Sequence, residues 1–182
     1  MQRRHFLAML SAGSLALALA RRGSAASTGA KSIAEIQENW KRLLAPGADV
    51  ATTTAPLARS EGEWQQLLTP AQFTVLRHEG TERPFTSPLN SEKRPGVFVC
   101  AGCALPLFSS QMKYDSGTGW PSFFTLIPDR LATREDFKMI VPRTEYHCVR
   151  CGGHQGHVFD DGPPPTGLRY CINGVAMRFL PE

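Results

Sequence analysis

Cysteines are the residues of this chain whose type and spacing point most directly to chemistry. Four of the five form two Cys-x-x-Cys pairs, Cys100 with Cys103 and Cys148 with Cys151. Two such pairs, each followed by a small residue that permits a tight turn, can place four thiolates at the corners of a tetrahedron, the geometry of structural zinc sites. The sequence therefore predicts one structural Zn²⁺ bound by these four cysteines.

Two alternatives exist for the Cys-x-x-Cys pairs. Each pair could form a disulfide, since cysteines of exported proteins usually pair. This alternative is weaker, because a bridge within Cys-x-x-Cys closes a tiny ring and constrains the unfolded chain little. The other alternative is thiol redox chemistry at the pairs, which requires that they hold no metal.

The fifth cysteine, Cys171, is left without a partner. Arg169 lies two residues before it, on the same face of an extended strand, and His154 and His157 come shortly upstream. Positive charge nearby lowers the pKa of a thiol and raises its thiolate fraction. These neighbours indicate a reactive thiol, although a buried, inert cysteine and histidines in core, surface or metal-binding positions also fit the local sequence.

The first 26 residues are predicted to form a secretory signal. A charged start with Arg3 and Arg4 precedes an apolar stretch over residues 6–20 and then small residues. The alternative, a permanent membrane anchor, needs about 20 mostly apolar residues. The adjacent arginines resemble the twin-arginine signal of bacteria, which exports folded proteins. We therefore expect a bacterial, periplasmic protein with no stable membrane insertion once the signal is removed.

The composition is that of one globular domain with appendages. A chain of 182 residues, 42% of them hydrophobic, is long enough for one core and too short for two large ones. Four arginines of the signal segment inflate the net charge of +4, and no basic patch with interleaved aromatic residues remains. We therefore expect no nucleic-acid partner, and we expect a monomer.

Residues 27–60 are predicted to be a linker that contains one short helix. Ser32 is a fair N-cap for apolar residues at helical spacing, and Pro46 with Gly47 ends the pattern. The stretch ATTTAPLARS that follows is typical of a linker. The folded domain is then expected to span residues 61–182.

Two more short helices are predicted before a β-rich part. Ser60 and Glu63 form a capping box, and Thr69 before Pro70 caps the next helix. Beyond residue 80 Pro and Gly recur every few residues, and the apolar runs are short: VFVC, FKMIV, EYHCV, HVF, LRYCI and AMRFL. This pattern predicts a mainly β core of short strands.

From about Glu63 onward the chain resembles the peptide methionine sulfoxide reductases of the B type, which act on the R epimer. The resemblance is carried, in order, by TERPFTSPLN, GVFVCAGCALPLF, KYDSGTGWPSF, CVRCGGHQGHVFDDGP and TGLRYCING. It implies two antiparallel sheets in a tent-like arrangement, a zinc-containing β-tent, with short N-terminal helices. It also implies an oxidoreductase of protein repair under oxidative stress, which reduces peptide-bound or free methionine sulfoxide.

The resemblance also assigns roles to residues of this chain. Cys171 is implied to be the nucleophile, which becomes a sulfenic acid. His154, His157 and Asn173 complete the catalytic set, and the two histidines, expected on a turn, supply the acid.

Four further residues are implied to form the substrate site. The indole face of Trp120 packs against the substrate methyl group. Phe159 lies beside it, and Arg169 holds the thiolate region through Asp161.

The chain departs from the family pattern at three positions. Many members carry a resolving cysteine where this chain has Thr118. We therefore expect a one-cysteine enzyme whose sulfenic acid is reduced by an external small thiol or a thioredoxin-like protein. Gln155 replaces a usual apolar residue and Gly174 a frequent serine, and both bear on substrate fit.

The strongest rival function is a zinc-stabilised module that binds peptides without catalysis, since fold alone does not establish function. A binding module has no need to assemble Cys171 with His154, His157 and Asn173.

Overall fold

Three short helices and nine strands occur in the residues that the computed structural model describes, 31–138 and 141–182. The helices are α1 (Ile33–Glu38), α2 (Glu61–Leu67) and α3 (Pro70–His78). The strands are β1 (Gly96–Cys100), β2 (Pro106–Ser109), β3 (Lys113–Tyr114), β4 (Ser122–Phe123), β5 (Leu131–Asp136), β6 (Arg143–Cys148), β7 (His154–Phe159), β8 (Arg169–Ile172) and β9 (Met177–Pro181). Short 3₁₀ segments cover Asn39–Leu43, Pro88–Asn90, Ser110–Met112 and Gly174–Ala176. The signal predicted over residues 1–26 lies outside the described residues.

Each helix begins at the capping residue that the sequence predicts. The hydroxyls of Ser32, Ser60 and Thr69 accept a hydrogen bond from the backbone N–H three residues on, and the side chain at that position accepts one from the cap's own N–H. The first α-helix is shorter than its apolar pattern, because the chain continues as 3₁₀ after Glu38. Among the described residues, no helix has the length and apolar character that a membrane crossing requires.

The segment before α2 packs onto the sheets, although the sequence predicts a linker there. Trp40 is buried in the core. The N–H of Ala51 donates to the carbonyl of Ala104 at 2.9 Å, and the N–H of Leu57 donates to that of Arg150 at 2.6 Å. Both carbonyls belong to the Cys-x-x-Cys loops, so this segment crosses both loops and is hydrogen-bonded to each of them. Residues 44–60 have no helix or strand, as their composition predicts, but these contacts depend on the folded sheets.

Two antiparallel sheets form the core, as predicted. The smaller has the order β2-β1-β9 and the larger the order β3-β4-β8-β7-β6-β5. Phe98 and Phe108 of the smaller sheet contact Phe123 of the larger, with ring centroids 5.0 and 4.2 Å apart. All three rings are fully buried, so the aromatic core joins the two sheets.

One strand is not where the apolar pattern places it. The prediction of a strand at FKMIV is wrong for its described residues, since Phe137, Lys138 and Val141 lie outside any strand. Instead β5 is the sequence LATRED at the edge of the larger sheet, and none of its residues is buried. An edge strand pairs on one side only and needs no buried apolar face. Residues 131–136 therefore form a strand because their backbone pairs with β6, and not because their side chains are apolar.

Candidate active site

The two Cys-x-x-Cys loops bring their four cysteines into one cluster. All four Sγ atoms lie within 4.8 Å of one another. The short contacts run between the loops: Cys100 to Cys151 at 3.6 Å and Cys103 to Cys148 at 3.5 Å. Sulfur atoms around a tetrahedral zinc with bonds of about 2.3 Å stand about 3.8 Å apart. The cluster therefore fits Zn²⁺, and its cysteines are free thiols rather than the alternative disulfides.

The position of the cluster explains what a metal does for the fold. Cys100 is the last residue of β1 and Cys148 the last of β6, so the four ligands connect the smaller sheet to the larger. Buried Trp64 of α2 and Leu76 of α3 lie against Gly102 of the first loop. The helices therefore cover one side of the cluster, in which Cys103 alone is only partly buried.

A second site surrounds Cys171 in β8. A cavity of about 100 Å³ is lined by Thr81, Trp120, Arg143, Gly156, His157, Phe159, Cys171, Ile172 and Asn173. The structure thus brings together five residues that the sequence predicts for the site: Trp120, His157, Phe159, Cys171 and Asn173. It leaves His154, Arg169 and Asp161 outside the cavity lining.

Strand register places Cys171 and His157 on one face. Cys171 is paired with His157 of β7 on one side and with Ser122 of β4 on the other. His157 is in turn paired with Glu145 of β6. Directly paired residues of antiparallel strands project to the same face, so a row of polar side chains runs across the larger sheet.

A β-bulge brings His154 to the same face. Residues three apart on a regular strand point to opposite faces. Here Tyr146 pairs with Gly156 whereas His147 pairs with His154, so β7 contains one extra residue. The two histidine rings consequently lie with centroids 5.4 Å apart. They stand on a strand, and the expectation of a turn is wrong.

His154 is held behind His157 by a buried carboxylate. Its side chain is 2% exposed, and its Nδ1 lies 2.7 Å from Oε1 of Glu145. Burial raises the pKa of Glu145, but hydrogen bonds with His147 and His154 and the charge of Arg134 lower it to about 2. Glu145 is therefore a carboxylate at neutral pH, and it fixes the orientation of the His154 ring.

His157 is held by a second carboxylate. Its Nε2 lies 2.7 Å from Oδ2 of Asp136, and Arg143 donates to the same oxygen at 2.7 Å. Burial lowers the pKa of His157, and the hydrogen bond with Asp136 opposes that shift. Sequence reasoning missed Asp136, Arg143 and Glu145. The sequence feature that could have indicated them is the pair of charged stretches RED and RTE. These stretches face each other only when β5 pairs with β6.

Trp120 and Asn173 are positioned by the segment that contains Glu82. The indole Nε1 of Trp120 donates to the Glu82 carbonyl at 3.1 Å, and the Glu82 N–H donates to Oδ1 of Asn173 at 3.0 Å. The Glu82 carboxylate accepts from the N–H groups of Gly174 and Val175. Burial raises its pKa, and these two hydrogen bonds oppose the shift. Glu82 was also missed, although it lies within the motif TERPF.

The Cys171 thiol is less acidic than its cationic neighbours suggest. Burial raises its pKa, while the charge of Arg169 and hydrogen bonding to Thr118 and Arg169 act in the opposite direction. The net direction is upward, so the expectation of a lowered pKa is wrong for the free protein. Desolvation penalises the thiolate more than the neighbouring charge stabilises it.

Arg169 acts on the cavity from outside. Its guanidinium forms two hydrogen bonds with Asp161, at 2.7 and 2.9 Å, and lies 4.2 Å from the centroid of the Phe159 ring. Phe159 lines the cavity. The ion pair therefore supports an aromatic wall and supplies charge near the thiol.

Hydroxyl groups lie near Cys171, where the resemblance led us to look for a resolving cysteine and the chain has Thr118. The Ser116 hydroxyl lies 2.8 Å from those of both Thr118 and Ser122. Ser122 is the strand neighbour of Cys171. The other cysteines all belong to the four-cysteine cluster, so in the described part of the chain no second thiol accompanies Cys171.

The other two departures from the family pattern do not reach the cavity. Gln155 is fully buried, and its Nε2 lies 3.5 Å from Cys100 Sγ, so its side chain points to the metal cluster. A Cβ at Gly174 would lie 1.8 Å from the Ser87 hydroxyl. Ser87 therefore excludes a side chain at position 174, and the glycine follows from that packing.

Comparison with known proteins identifies the family of this chain. The family model described as the SelR domain matches residues 68–181. The peptide methionine sulfoxide reductase MsrB of Methanosarcina barkeri is 54% identical over 125 residues, which cover 68% of this chain and 88% of that one. MsrB of Agrobacterium fabrum is 49% identical over 130 residues (71% and 96%), and MsrB of Pseudomonas putida W619 is 54% identical over 122 residues (66% and 91%). The chain therefore belongs to the MsrB family of peptide methionine sulfoxide reductases.

Proposed function

We propose that this peptide-methionine (R)-S-oxide reductase uses Cys171 as its nucleophile. Family membership supports the activity, the reduction of the R epimer of methionine sulfoxide to methionine. The observation that carries the residue assignment is the cavity that Cys171 shares with His157, Trp120 and Asn173.

The reaction moves one oxygen from the substrate to the enzyme. Cys171 Sγ attacks the sulfoxide sulfur as the sulfoxide oxygen is protonated. The resulting hydroxyl group then moves from the substrate sulfur to Cys171 Sγ, the bond between the two sulfur atoms breaks, and methionine leaves with that electron pair. The oxygen remains on Cys171 as a sulfenic acid. The substrate sulfur gains two electrons and Cys171 loses two.

His157 is the proton donor in this proposal. It lines the cavity beside Cys171, and its Nε2 is engaged by the Asp136 carboxylate. The other ring nitrogen, Nδ1, then carries the proton that goes to the oxygen. Burial lowers the pKa of His157, which makes its protonated form a stronger acid. His154, which lies outside the cavity lining, is a positioning residue that supports the His157 ring.

Trp120 and Phe159 receive the methyl end of the substrate. Both rings line the cavity, and a methyl group beside sulfur packs well against an aromatic ring. The hydrogen bond from Trp120 to Glu82 fixes the indole before substrate arrives. Asn173, held through its Oδ1 by the Glu82 N–H, completes the wall.

An external thiol regenerates the enzyme. One thiol condenses with the sulfenic acid and releases water, and a second thiol reduces the mixed disulfide. The donor is a small thiol or a thioredoxin-like protein, because Thr118 offers no sulfur. When bound, the zinc ion supplies folding free energy at the cysteine cluster and takes no part in these steps.

Separate epimers test the activity and the nucleophile together. The purified protein without residues 1–26 is incubated with R or S methionine sulfoxide in a peptide and with excess dithiothreitol. We expect methionine from the R epimer alone, and none from a Cys171→Ser variant. If neither epimer reacts while the protein is folded and zinc is bound, a peptide-binding module without catalysis becomes the better function.

A single turnover without reductant tests the regeneration step. Mass spectrometry should detect Cys171 sulfenic acid, trapped by dimedone, and no intramolecular disulfide. A Thr118→Cys variant is the matched control. It should form a disulfide with Cys171, because the Thr118 side chain already reaches the thiol. A disulfide through Cys171 in the unaltered chain contradicts the one-cysteine mechanism.

We also propose that the protein is exported to the bacterial periplasm by the twin-arginine route as a monomer. The support is the sequence of residues 1–26, with Arg3 and Arg4 before a short apolar run. Such a route allows zinc to be loaded in the cytosol before export. Replacing both arginines by lysine should leave the protein in the cytosol, as fractionation of expressing cells would show; unchanged export contradicts the route.

A further inference from the structure

A second, larger cavity shares Trp120 with the catalytic cavity. Its volume is about 580 Å³. It is lined by Phe85, Asn90, Ser91, Glu92, Lys93, Ser110, Lys113, Tyr114, Asp115, Gly117, Gly119, Trp120 and Pro121. We call this surface the flanking groove. The catalytic steps above make no use of it, although the same indole borders both cavities.

Phe85 is the most unusual residue of the flanking groove. Its side chain is 74% exposed, and its φ of +64° lies in the left-handed region that bulky residues rarely adopt. Its N–H donates to the Gly119 carbonyl at 2.7 Å. A Cβ at Gly119 would lie 2.9 Å from that nitrogen, so only glycine permits the approach. The surrounding structure thus holds an aromatic ring in solvent against a conformational penalty, which is a feature of ligand contacts.

The lining of the flanking groove contains both positive and negative side chains, so it favours neither an anionic nor a cationic ligand. Lys93 and Lys113 oppose Glu92 and Asp115 in the lining. Lys113 Nζ is occupied by a backbone carbonyl at 2.8 Å, and the Glu92 carboxylate is occupied by Arg94. A polyanion finds no positive surface here. An extended polypeptide, which offers apolar side chains together with backbone donors and acceptors, fits this mixed lining.

We propose that the flanking groove binds the polypeptide on one side of the oxidised methionine, with Phe85 as the main contact. The inference rests on the proposed function, since the groove gains this role only if the sulfoxide lies at Cys171. Consecutive residues of an extended chain advance by about 3.3–3.6 Å, so a chain that leaves the catalytic cavity past Trp120 enters the groove within a few residues.

Two substrates of different length test this role in the same enzyme. The first is a heptapeptide with a central methionine R-sulfoxide, and the second is N-acetyl-methionine R-sulfoxide methylamide, both reduced with dithiothreitol. Phe85→Ala should lower kcat/KM for the peptide about tenfold, as loss of a central aromatic contact does, and leave kcat/KM for the small substrate unchanged. Leu67→Ala, which removes another exposed apolar side chain on α2, should change neither value.

Several outcomes would overturn the role of the groove. An equal loss on both substrates would mean that Phe85 acts on the catalytic cavity through Gly119, and no loss on either would mean that the groove is unused. A loss that appears only with a thioredoxin-like reductant in place of dithiothreitol would make the groove a docking site for that protein. Failure of the unaltered enzyme on both substrates would instead refute the proposed function.

Photocrosslinking maps the bound peptide without any change at Phe85. The Cys171→Ser variant is irradiated with the same peptide carrying benzoylphenylalanine two residues from the sulfoxide, on either side in turn. For one of the two positions the crosslinks should fall within residues 85–93 or 110–121. Crosslinks confined to other regions for both positions would overturn the proposal.

Discussion

The cysteine cluster and the Cys171 cavity use the same functional group in opposite ways. In the cluster four thiols lie within 4.8 Å of one another next to α2 and α3, and such a set can hold a metal cation. Cys171 instead stands alone beside hydroxyl, imidazole and guanidinium groups in an open cavity. The difference teaches that the neighbours of a thiol decide what it is suited for: four adjacent thiols suit a metal ion, and a single thiol beside polar groups suits the proposed reaction.

The two regions also differ in how they are built. The cluster comes from two loops with ligands three residues apart, whereas the cavity draws on strands of the larger sheet and on the segment around Glu82. A substitution in the cluster should therefore lower the free energy of unfolding. A substitution in the cavity should mainly lower the rate of methionine sulfoxide reduction.

The largest effect is expected from removing a metal ligand. Cys148→Ser should abolish zinc binding and cooperative folding, because a structural zinc contributes on the order of 10 kcal/mol. Metal analysis and thermal unfolding measure both properties. Cys171→Ser should retain zinc and melt at the temperature of the unaltered protein while losing all turnover. A Cys148→Ser protein with zinc and an unchanged melting temperature would contradict the separation of the two regions.

Glu145→Gln should affect both stability and rate. The change leaves buried groups poorly paired, so we expect a loss of about 3 kcal/mol in unfolding free energy and a roughly 100-fold lower kcat from a misplaced His154. Glu135→Gln, on the exposed part of neighbouring β5, is the matched control and should behave as the unaltered protein.

The pH dependence of stability gives a second measure of Glu145. Its pKa in the folded protein is about 2, below its ordinary value of 4.5. The stabilisation is therefore complete above about pH 4.5 and is lost as the pH falls towards 2. Melting temperatures across this window should converge for the Gln variant and the unaltered protein. A constant gap between them would mean that the charge of Glu145 is not what stabilises the fold.

Arg169→Met should have a moderate effect, confined to the cavity. Without the guanidinium charge the pKa of Cys171 should rise further, which lowers the thiolate fraction and slows alkylation by iodoacetamide at pH 7.5 about tenfold. In the unaltered protein the alkylation rate should climb with pH through a pKa above the ordinary cysteine value. Peptide mapping separates Cys171 from the cluster, and Arg178→Met, at an exposed position of β9, is the control. An unchanged pH profile in Arg169→Met would remove Arg169 from the electrostatics of the thiol.

The smallest effect is expected from Gln155→Leu, which tests how strongly the two regions are coupled. Its amide contacts Cys100 Sγ, whereas its backbone carbonyl accepts from Asn173. The variant should release zinc to a chelator several-fold faster, since hydrogen bonds to ligands strengthen metal binding. Because it also removes a buried amide oxygen without a partner, the unfolding free energy should not fall. A large loss of kcat would show that the side chain, and not only the backbone, reaches the active site.

Local features of the fold were predictable because their causes are local. A capping box such as Ser60 with Glu63 depends on residues three apart, and so does each half of the metal site. The carboxylates of the active site were not predictable in this way. Glu145 lies nine residues from His154, Asp136 lies 21 from His157, and Glu82 lies 91 from Asn173. No local pattern links these partners.

The edge strand β5 shows the same limit for secondary structure. The apolar run FKMIV is a better strand by composition, yet LATRED forms the strand and carries Asp136. Pairing with β6 aligns Asp136 with Arg143. Both residues reach His157 only after that register is set.

The sequence by itself determined the cysteine cluster and the helix starts, because each follows from residue types at short, fixed spacing, and it determined the family through several motifs in a fixed order. Only the tertiary structure decided that a β-bulge moves His154 beside His157, that burial raises the pKa of Cys171 despite Arg169, and that the segment before α2 straps the cysteine loops. Strand register and desolvation are properties of the assembled sheets. They arise from contacts between residues far apart in the chain, and no spacing within one segment encodes them.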